Sequence, residues 1–328
     1  MRQKIALFAT FMLAGCSGIQ SPLVPAGDQA SALHQLLLLM MLVCGLVYLV
    51  VIGGLVWSVI RARKRSGAPG DLMAQDGKLD NGLYSAAAFI VIGLTIMIVG
   101  SFFADRALVA SRANSAMIVR VTGHQWWWRI EYREPRSGMW IETANELHLP
   151  LGRTARLELR AGDVIHSFWV PNVSGKIDMI PGRRNLIDLT PRRIGWFRGQ
   201  CTEFCGLQHA HMAFDVKVES ASDFDAWLAG QGAGRLAGPA SRGAQVFAQS
   251  CASCHTIRGT GAKGRAGPDL THLASRRSIA AGTLPMTRGS LQGWIAQPQA
   301  LKPGTAMPTI PLIPADADAV ASYLATLR

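Results

Sequence analysis

Soft metal-binding side chains are concentrated in one short segment, residues 201–212. Within these twelve residues lie two cysteines, two histidines and a methionine: Cys201, Cys205, His209, His211 and Met212. Thiolate, thioether and imidazole groups are the donors that favour copper over hard cations. The segment therefore predicts a copper site, and the rest of the chain must hold it in place and bring electrons to it.

One Cys, two His and a Met suffice for a mononuclear blue-copper site. His166, Cys205, His209 and Met212 would supply that set, with His166 contributed by an earlier strand. Cys201 adds a second thiolate, and two thiolates that each bridge two metals permit a binuclear centre. A zinc site of two Cys and two His is an alternative, but it leaves Met212 unexplained. A disulfide between the two cysteines is another.

A second cysteine pair belongs to the segment Cys251-Ala-Ser-Cys254-His255. This is the attachment motif of c-type haem, in which two thioethers hold the porphyrin and the histidine is the proximal iron ligand. A methionine as sixth ligand would raise the reduction potential. Met286 and Met307 are the candidates.

Two long apolar runs predict membrane-spanning helices over residues 36–60 and 83–104. Four cations follow the first run at once and open the loop 61–82, which the positive-inside rule places in the cytoplasm. They are Arg61, Arg63, Lys64 and Arg65. Both ends of the mature chain are then expected outside.

The N-terminus has the pattern of a signal peptide over residues 1–15. Its end, Leu13-Ala14-Gly15-Cys16, resembles a bacterial lipobox, which predicts that Cys16 is lipidated and begins the mature chain. The alternative is an ordinary signal peptide followed by an incidental cysteine. Residues 16–35 form the segment before the first membrane helix.

Period-two alternation of apolar and polar residues predicts short strands in residues 105–228. Ala155, Leu157 and Leu159 alternate with charged neighbours, and turn signals separate the segments. Several short strands in one domain favour a sandwich or barrel. A capping box beginning at Ser222 predicts a short helix at its end.

A Gly- and Ala-rich linker over residues 229–240 is expected to be a flexible coil. Beyond it, residues 241–328 read as a helical domain, with Pro314 in the first turn of the last helix. The last helix is expected to pack across the first helix of that domain.

The net charge of +12 is concentrated near the C-terminus. Residues 231–328 contain ten basic and three acidic residues, a net of +7. A nucleic-acid partner is not expected, because an exported, membrane-anchored chain meets none. An acidic protein surface is the expected partner of this end.

Four segments of the chain resemble the cytochrome c oxidase subunit II family. They are residues 123–128, 164–168, 176–183 and 201–212. The resemblance covers residues 30–230 and implies a two-helix transmembrane hairpin followed by a cupredoxin-like β-barrel with a dinuclear CuA centre.

By that resemblance, six residues bind the two coppers, and the two cysteines bridge them. They are His166, Cys201, Glu203, Cys205, His209 and Met212, of which Glu203 uses its backbone carbonyl and Met212 binds weakly.

The same resemblance implies roles for other residues. The side chain of Glu203 would point to a magnesium site shared with subunit I, and Trp126 would be the aromatic residue at which electrons enter. On a strand, the tryptophans at 126–128 alternate faces, so at least one is expected to be exposed. His211 is expected to face solvent or to lie behind the ligands.

The C-terminal domain resembles an all-α class I cytochrome c. Residues 302–308 resemble the axial-methionine loop of that family, which favours Met307 over Met286. Subunit II followed by cytochrome c is similar to the fused subunit of caa-type terminal oxidases.

The resemblance implies the electron-entry subunit of a proton-pumping oxidase in a bacterial inner membrane, with both cofactor domains on the periplasmic side. Electrons would pass from cytochrome c or a quinol–cytochrome c reductase complex to haem c, then to CuA, and then to haem a in subunit I. Subunit I, which would carry the oxygen chemistry, other oxidase subunits and the lipid bilayer are the expected partners. The alternative is a membrane-anchored electron carrier outside any oxidase.

One position departs from the family pattern at the second span. The proton-channel Glu of the family aligns with Asn81, and we expect either that Asp80 substitutes for it or that this entrance is built differently.

Overall fold

The computed structural model describes residues 18–64, 76–110, 117–135, 137–232 and 241–328. Residues 32–111 form one compact unit, and the residues before and after them form a second. The predicted signal peptide and Cys16 lie outside the described residues, as do residues 65–75 of the predicted cytoplasmic loop.

The first unit consists of two helices, α1 (Asp28–Lys64), whose first four residues belong to the second unit, and α2 (Asp76–Ala110). Both are long and apolar enough to cross a membrane, which agrees with the two predicted apolar helices. They approach closely at Gly100, where an added Cβ would lie 2.5 Å from Leu39 Cδ2. Each helix is longer than its predicted apolar run, since polar residues at its ends are also helical.

The second unit contains a sandwich of two five-stranded sheets. The strand order in the first sheet is β3-β2-β1-β5-β8, with β1 (Met117–His124), β2 (Trp127–Arg133), β3 (Trp140–Ala144), β5 (Ala155–Ala161) and β8 (Asn185–Leu189). The strand order in the second is β4-β10-β9-β6-β7, with β4 (Glu146–Pro150), β6 (His166–Trp169), β7 (Ile177–Met179), β9 (Gly195–Cys201) and β10 (Ala213–Glu219). This architecture confirms the predicted cupredoxin-like fold.

The core of the sandwich follows from the period-two pattern, since alternate side chains of a strand point to the same face. Leu157 and Leu159 are fully buried, whereas Arg156, Glu158 and Arg160 between and beside them are only half-buried. Trp128 fills the centre of the core and is fully buried.

The first residues of α1 and the segment before it pack on the sandwich, a contact that the sequence did not predict. Gly27 forms a β-bridge with Pro191, and a Cβ at Gly27 would lie 2.6 Å from Val173 O. The Thr190 N–H donates to Gln29 Oε1 at 3.1 Å. These contacts explain why α1 begins at Asp28, ahead of the apolar run.

Helix α3 (Ala221–Gly232) follows the last strand. Its N-terminus is capped by Ser220, whose Oγ accepts from the Asp223 N–H at 3.1 Å, and not by Ser222 as predicted. The helix continues to Gly232, so the first four residues of the predicted linker are helical. Residues 233–240 lie outside the described residues.

The C-terminal domain is helical, with α4 (Arg242–Ser250), α5 (Arg288–Ala296), α6 (Pro298–Leu301) and α7 (Pro314–Leu324). An added Cβ at Gly243 would lie 2.1 Å from Ala319 O, so α4 and α7 cross closely, as predicted. A ribbon of two short strands, β11 (Ser278–Ile279) and β12 (Leu284–Pro285), adds to the expected all-α domain. Strands of two residues are too short to show a period in the sequence.

Candidate functional site

The predicted copper ligands come from three places in the sandwich. His166 is the first residue of β6, and Cys201 is the last residue of β9. The two strands pair in the register Phe168 with Cys201. The Cys201 N–H donates to Met212 O at 2.9 Å and closes the loop that carries the remaining ligands.

Each predicted ligand atom lies close to one of the two cysteine sulfurs. Cys201 Sγ lies 3.8 Å from Cys205 Sγ, 3.8 Å from His166 Nδ1 and 3.2 Å from Glu203 O. Cys205 Sγ lies 3.6 Å from His209 Nδ1 and 3.8 Å from Met212 Sδ. One imidazole therefore belongs to each thiol.

This donor set fits two soft metal ions. His166, Cys201, Cys205 and Met212 are at most 3% exposed, so water is excluded from most of the site. Two nitrogens, three sulfurs and a carbonyl oxygen exceed the four ligands that zinc takes in structural sites. Sulfur and imidazole donors together favour copper. Both cysteines are free thiols.

The two thiols share their protons unequally. The hydrogen bond from Cys205 lowers the pKa of Cys201, and the same contact raises the pKa of Cys205. Burial opposes a charged imidazole, but Asp163 and Cys201 raise the pKa of His166 to about 8. Metal binding must therefore displace protons from this site.

Asp163 holds His166 in position, a role that the sequence analysis did not assign. The Asp163 Oδ1 atom accepts from His166 Nε2 at 2.8 Å, which leaves Nδ1 to face the sulfur atoms. The Gln125 N–H donates to Asp163 Oδ2 at 2.7 Å. A carboxylate three residues before a metal-binding His is the available signal, but the sequence Ala161-Gly162-Asp163 is equally typical of a turn.

Trp126 lies directly beside the predicted copper loop. Its indole N–H donates to Cys205 O at 3.0 Å, and Gln125 Nε2 donates to the same oxygen at 2.7 Å. Gly206 is required next to them, because its φ is +109° and a Cβ would lie 3.1 Å from Trp126 Cζ2. Trp126 is only 7% exposed.

The expectation of an exposed tryptophan among residues 126–128 was wrong. Trp126 and Trp128 are buried, and Trp127 is half-buried and stacks on His124. The C-terminal domain covers this edge of the sandwich, a contact between distant parts of the chain that strand periodicity does not reveal.

The predicted haem residues line one cavity. Cys251, Cys254, His255 and Met307 all face it, and its empty volume is about 1310 Å³, including the part open to solvent. His255 Nδ1 donates to Pro268 O at 2.8 Å, so its Nε2 is the nitrogen left to bind iron.

The cavity fits a haem group in its chemistry. Its wall is mostly apolar, and Arg276 lies in that wall. Arg276 is 9% exposed, and its Nε has no hydrogen-bond partner among the described residues. An unpaired buried guanidinium nitrogen suits a propionate carboxylate. Met286 packs on the domain core instead of lining this cavity.

The cavity also opens onto the sandwich. Gln125, Trp126, Trp127 and Asn145 contribute to its wall from the copper-binding side. The wall of the predicted haem cavity and the predicted copper loop therefore have Trp126 in common.

Two predicted residues and one further histidine of this domain remain to be placed. His211 is exposed, as expected, and Glu203 is half-buried. His148 is buried between two carboxylates, with Nδ1 2.7 Å from Glu219 Oε1 and Nε2 2.9 Å from Glu146 Oε1.

Comparison with known proteins gives matches for both globular domains. The family model of the cytochrome c oxidase subunit II periplasmic domain matches residues 134–219, and that of cytochrome c matches residues 240–328. Cytochrome c oxidase subunit 2 of Alkalihalophilus pseudofirmus is 34% identical over 98% of this chain and 95% of its own length.

Two further matches cover parts of the chain. Cytochrome c oxidase subunit 2 of Bacillus subtilis is 32% identical over 66% of this chain and 64% of its own length. The crystal structure of the periplasmic domain of subunit II of a Bradyrhizobium japonicum cytochrome oxidase is 29% identical and matches with a TM-score of 0.34. That match covers 36% of this chain and 95% of that structure.

Proposed function

Since this chain belongs to the cytochrome c oxidase subunit II family, with a cytochrome c domain at its C-terminus, we propose that it is the electron-entry subunit of a proton-pumping haem–copper oxidase. Its C-terminal domain receives electrons from an external donor, and its sandwich passes them to haem a in subunit I. The oxygen chemistry belongs to subunit I.

Each globular domain contains the ligand residues for one cofactor. Cys251 and Cys254 would hold haem c, with His255 and Met307 as its iron ligands. His166, Cys201, Glu203, Cys205, His209 and Met212 would hold a dinuclear copper centre. When bound, each of these groups takes up and releases one electron at a time.

The observation that carries the proposal is the position of Trp126. It lines the C-terminal cavity and donates a hydrogen bond to Cys205 O at 3.0 Å. A single side chain thus bridges the two predicted cofactor sites, which is a short path for electrons.

Three finer points complete the proposal. The two apolar helices anchor the chain in a bacterial inner membrane with both cofactor domains on the periplasmic side, where cytochrome c or a quinol–cytochrome c reductase complex is the donor. Glu203 lies in no cluster of three metal-ligating side chains among the described residues, so magnesium there needs ligands from subunit I. Asp80 replaces the channel-entry Glu.

The test uses the full-length chain purified in detergent. We expect copper analysis, EPR and optical spectra to show a mixed-valence copper pair beside one low-spin c haem. Electrons supplied to the haem should reach copper, and the transfer should be slower in Trp126→Leu than in the matched control Trp127→Leu. A blue-copper spectrum with one copper, or oxygen consumption at an oxidase-like rate by the isolated chain, would contradict the proposal.

A further inference from the structure

Lys302 is a buried cation between the two globular domains. It follows α6 in the cytochrome c domain and precedes Met307 by five residues, yet it is only 2% exposed. Lysine is rarely buried to this degree unless its charge is paired. Neither the copper site nor the haem cavity uses its ammonium group as a ligand, so its burial requires another explanation.

The Lys302 ammonium group is satisfied by three backbone carbonyls. Its Nζ donates to Trp126 O at 2.8 Å, to His211 O at 2.8 Å and to Ala280 O at 3.1 Å. An ammonium group has three donors, so this arrangement uses all of them. Two of the acceptors belong to the copper-binding sandwich and one to the cytochrome c domain.

The residues around Lys302 form the centre of the domain contact. Gln208 Nε2 donates to Pro303 O at 2.9 Å. A Cβ at Gly304 would lie 3.2 Å from Leu207 Cδ1 and 3.5 Å from Trp126 Cη2. The loop that leads to Met307 therefore fits closely against the loop that carries the predicted copper ligands.

In this arrangement of the two domains, each N–H donor of the Lys302 ammonium group has an acceptor. Lys302 is 2% exposed, so its amine is removed from water, and this is costly unless its donors find acceptors. The carbonyls of Trp126 and His211 offset that cost only when the domains meet in this register. In a register that keeps Lys302 buried without these carbonyls, the ammonium would lack acceptors, and an unsatisfied buried charge is strongly unfavourable.

We propose that Lys302 is a positioning residue that holds the cytochrome c domain on the copper-binding sandwich, with the haem cavity against Trp126. This role rests on the proposed function, because a fixed arrangement of the two domains keeps the electron path short. The three carbonyl contacts of Lys302 do not depend on that function.

Amide hydrogen exchange of the full-length, cofactor-loaded chain tests this role. Two backbone N–H groups report on the domain contact: Ala213 N donates to Ala281 O at 3.0 Å, and Arg277 N donates to Glu146 Oε2 at 2.9 Å. In Lys302→Met, which keeps the length and the apolar contacts, exchange at both amides should rise by roughly tenfold to a hundredfold. Haem-to-copper electron transfer should slow as well.

Two references separate docking from folding. Ala274 N donates to Leu327 O inside the cytochrome c domain, and Leu151 N donates to Glu219 O inside the sandwich. Both amides should keep their protection in Lys302→Met. The matched control is Lys263→Met, which changes an exposed lysine of the same domain and should leave all four amides unchanged.

Two outcomes of the exchange experiment would contradict the positioning role of Lys302. Unchanged exchange at Ala213 and Arg277 in Lys302→Met would show that the contact does not need the ammonium group. Loss of protection at Ala274, in Lys302→Met and also in Lys302→Gln, would show that Lys302 supports the fold of its own domain. Neither result bears on the proposed function, which depends on the copper pair and the haem in the unaltered chain.

Discussion

The copper site and the haem cavity are built in opposite ways. The copper ligands come from distant segments, since His166 lies 35 residues before Cys201. The haem cysteines and the proximal His255 lie within five residues, and only Met307 comes from elsewhere. Each predicted copper-binding His and Met lies within 4 Å of a cysteine sulfur, whereas the haem ligands surround an open cavity.

Different structural features should therefore determine how each cofactor is bound. Paired strands hold the backbone of His166 and Cys201 rigidly in place. The copper site then depends on hydrogen bonds that orient the ligand side chains. The haem cavity has apolar walls, part of which belongs to the sandwich. The copper site should therefore respond to single polar substitutions, whereas the haem domain should respond most at the contact between the domains.

The largest effect is expected for Cys201→Ser, which removes one of the two sulfurs that can bridge two coppers. Copper content should fall from two to about one per chain, with loss of the mixed-valence EPR signal, because a hydroxyl is a poor ligand for soft metals. Haem content should not change. Cys44→Ser alters an exposed cysteine of α1 and is the matched control; retention of two coppers in Cys201→Ser would contradict the bridging role.

A smaller effect is expected for Asp163→Asn. The amide cannot accept from His166 Nε2 as strongly as the carboxylate does, so the imidazole is less firmly aimed at Cys201. Loss of such an outer hydrogen bond costs about 10–100-fold in metal affinity, which a competition titration with a copper chelator would measure. Asp178→Asn, at an exposed position of β7, should bind copper like the unaltered chain; equal affinities in both variants would rule out the positioning role.

The next effect concerns His148, which lies near the domain contact, because Glu146 also accepts from the Arg277 N–H. Burial disfavours its charge, but hydrogen bonds to Glu146 and Glu219 outweigh it and raise the pKa of His148 above 6.5. Since this pKa is higher in the folded protein, the stabilisation is complete below pH 6.5 and declines as the pH rises through the folded-state pKa.

His148→Gln should therefore lower the free energy of unfolding by about 2 kcal/mol near pH 6 and by less near pH 8.5. Thermal melting followed by tryptophan fluorescence is a suitable measurement, because Trp227 stacks on His148 with a ring separation of 3.8 Å. The exposed His211→Gln is the control. A difference that grows with pH would contradict the assignment of a charged His148.

The smallest effect is expected for Arg265→Gln at the rim of the domain contact. Arg265 is 69% exposed and lies 3.5 Å from Glu142 and 3.9 Å from Glu131. Exposed ion pairs contribute about 1 kcal/mol or less and weaken with salt. Exchange at the Arg277 amide should rise only a few-fold, and less at high salt. An effect as large as that of Lys302→Met would contradict the distinction between the centre and the rim.

The sequence predicted the folds of both domains because their patterns are local. Period-two alternation specifies half-buried strands, such as that around Leu157, and a long apolar run specifies a membrane helix. The segment from Cys251 to His255 specifies its chemistry within five residues. The copper ligand set remains a prediction, and the structure brings all six positions together around the two cysteines.

Other features could not be read from the chain. Asp163 appeared to be a turn residue, because its role depends on β6 folding His166 back toward it. Gln29 belongs to the segment that the sequence places before the first membrane helix, and its partner Thr190 lies 161 residues away. The burial of Trp126 could not be predicted from strand alternation, which describes one sheet and not a second domain placed upon it.

Lys302 shows this limit most clearly. Its position in the chain indicated only a residue before an axial-methionine loop, and its charge counted toward a basic surface for an external partner. The tertiary structure buries that charge against the carbonyls of Trp126 and His211. Backbone carbonyls occur at every residue, so no sequence pattern marks the three that meet one ammonium group, and only the packing of one domain on the other selects them.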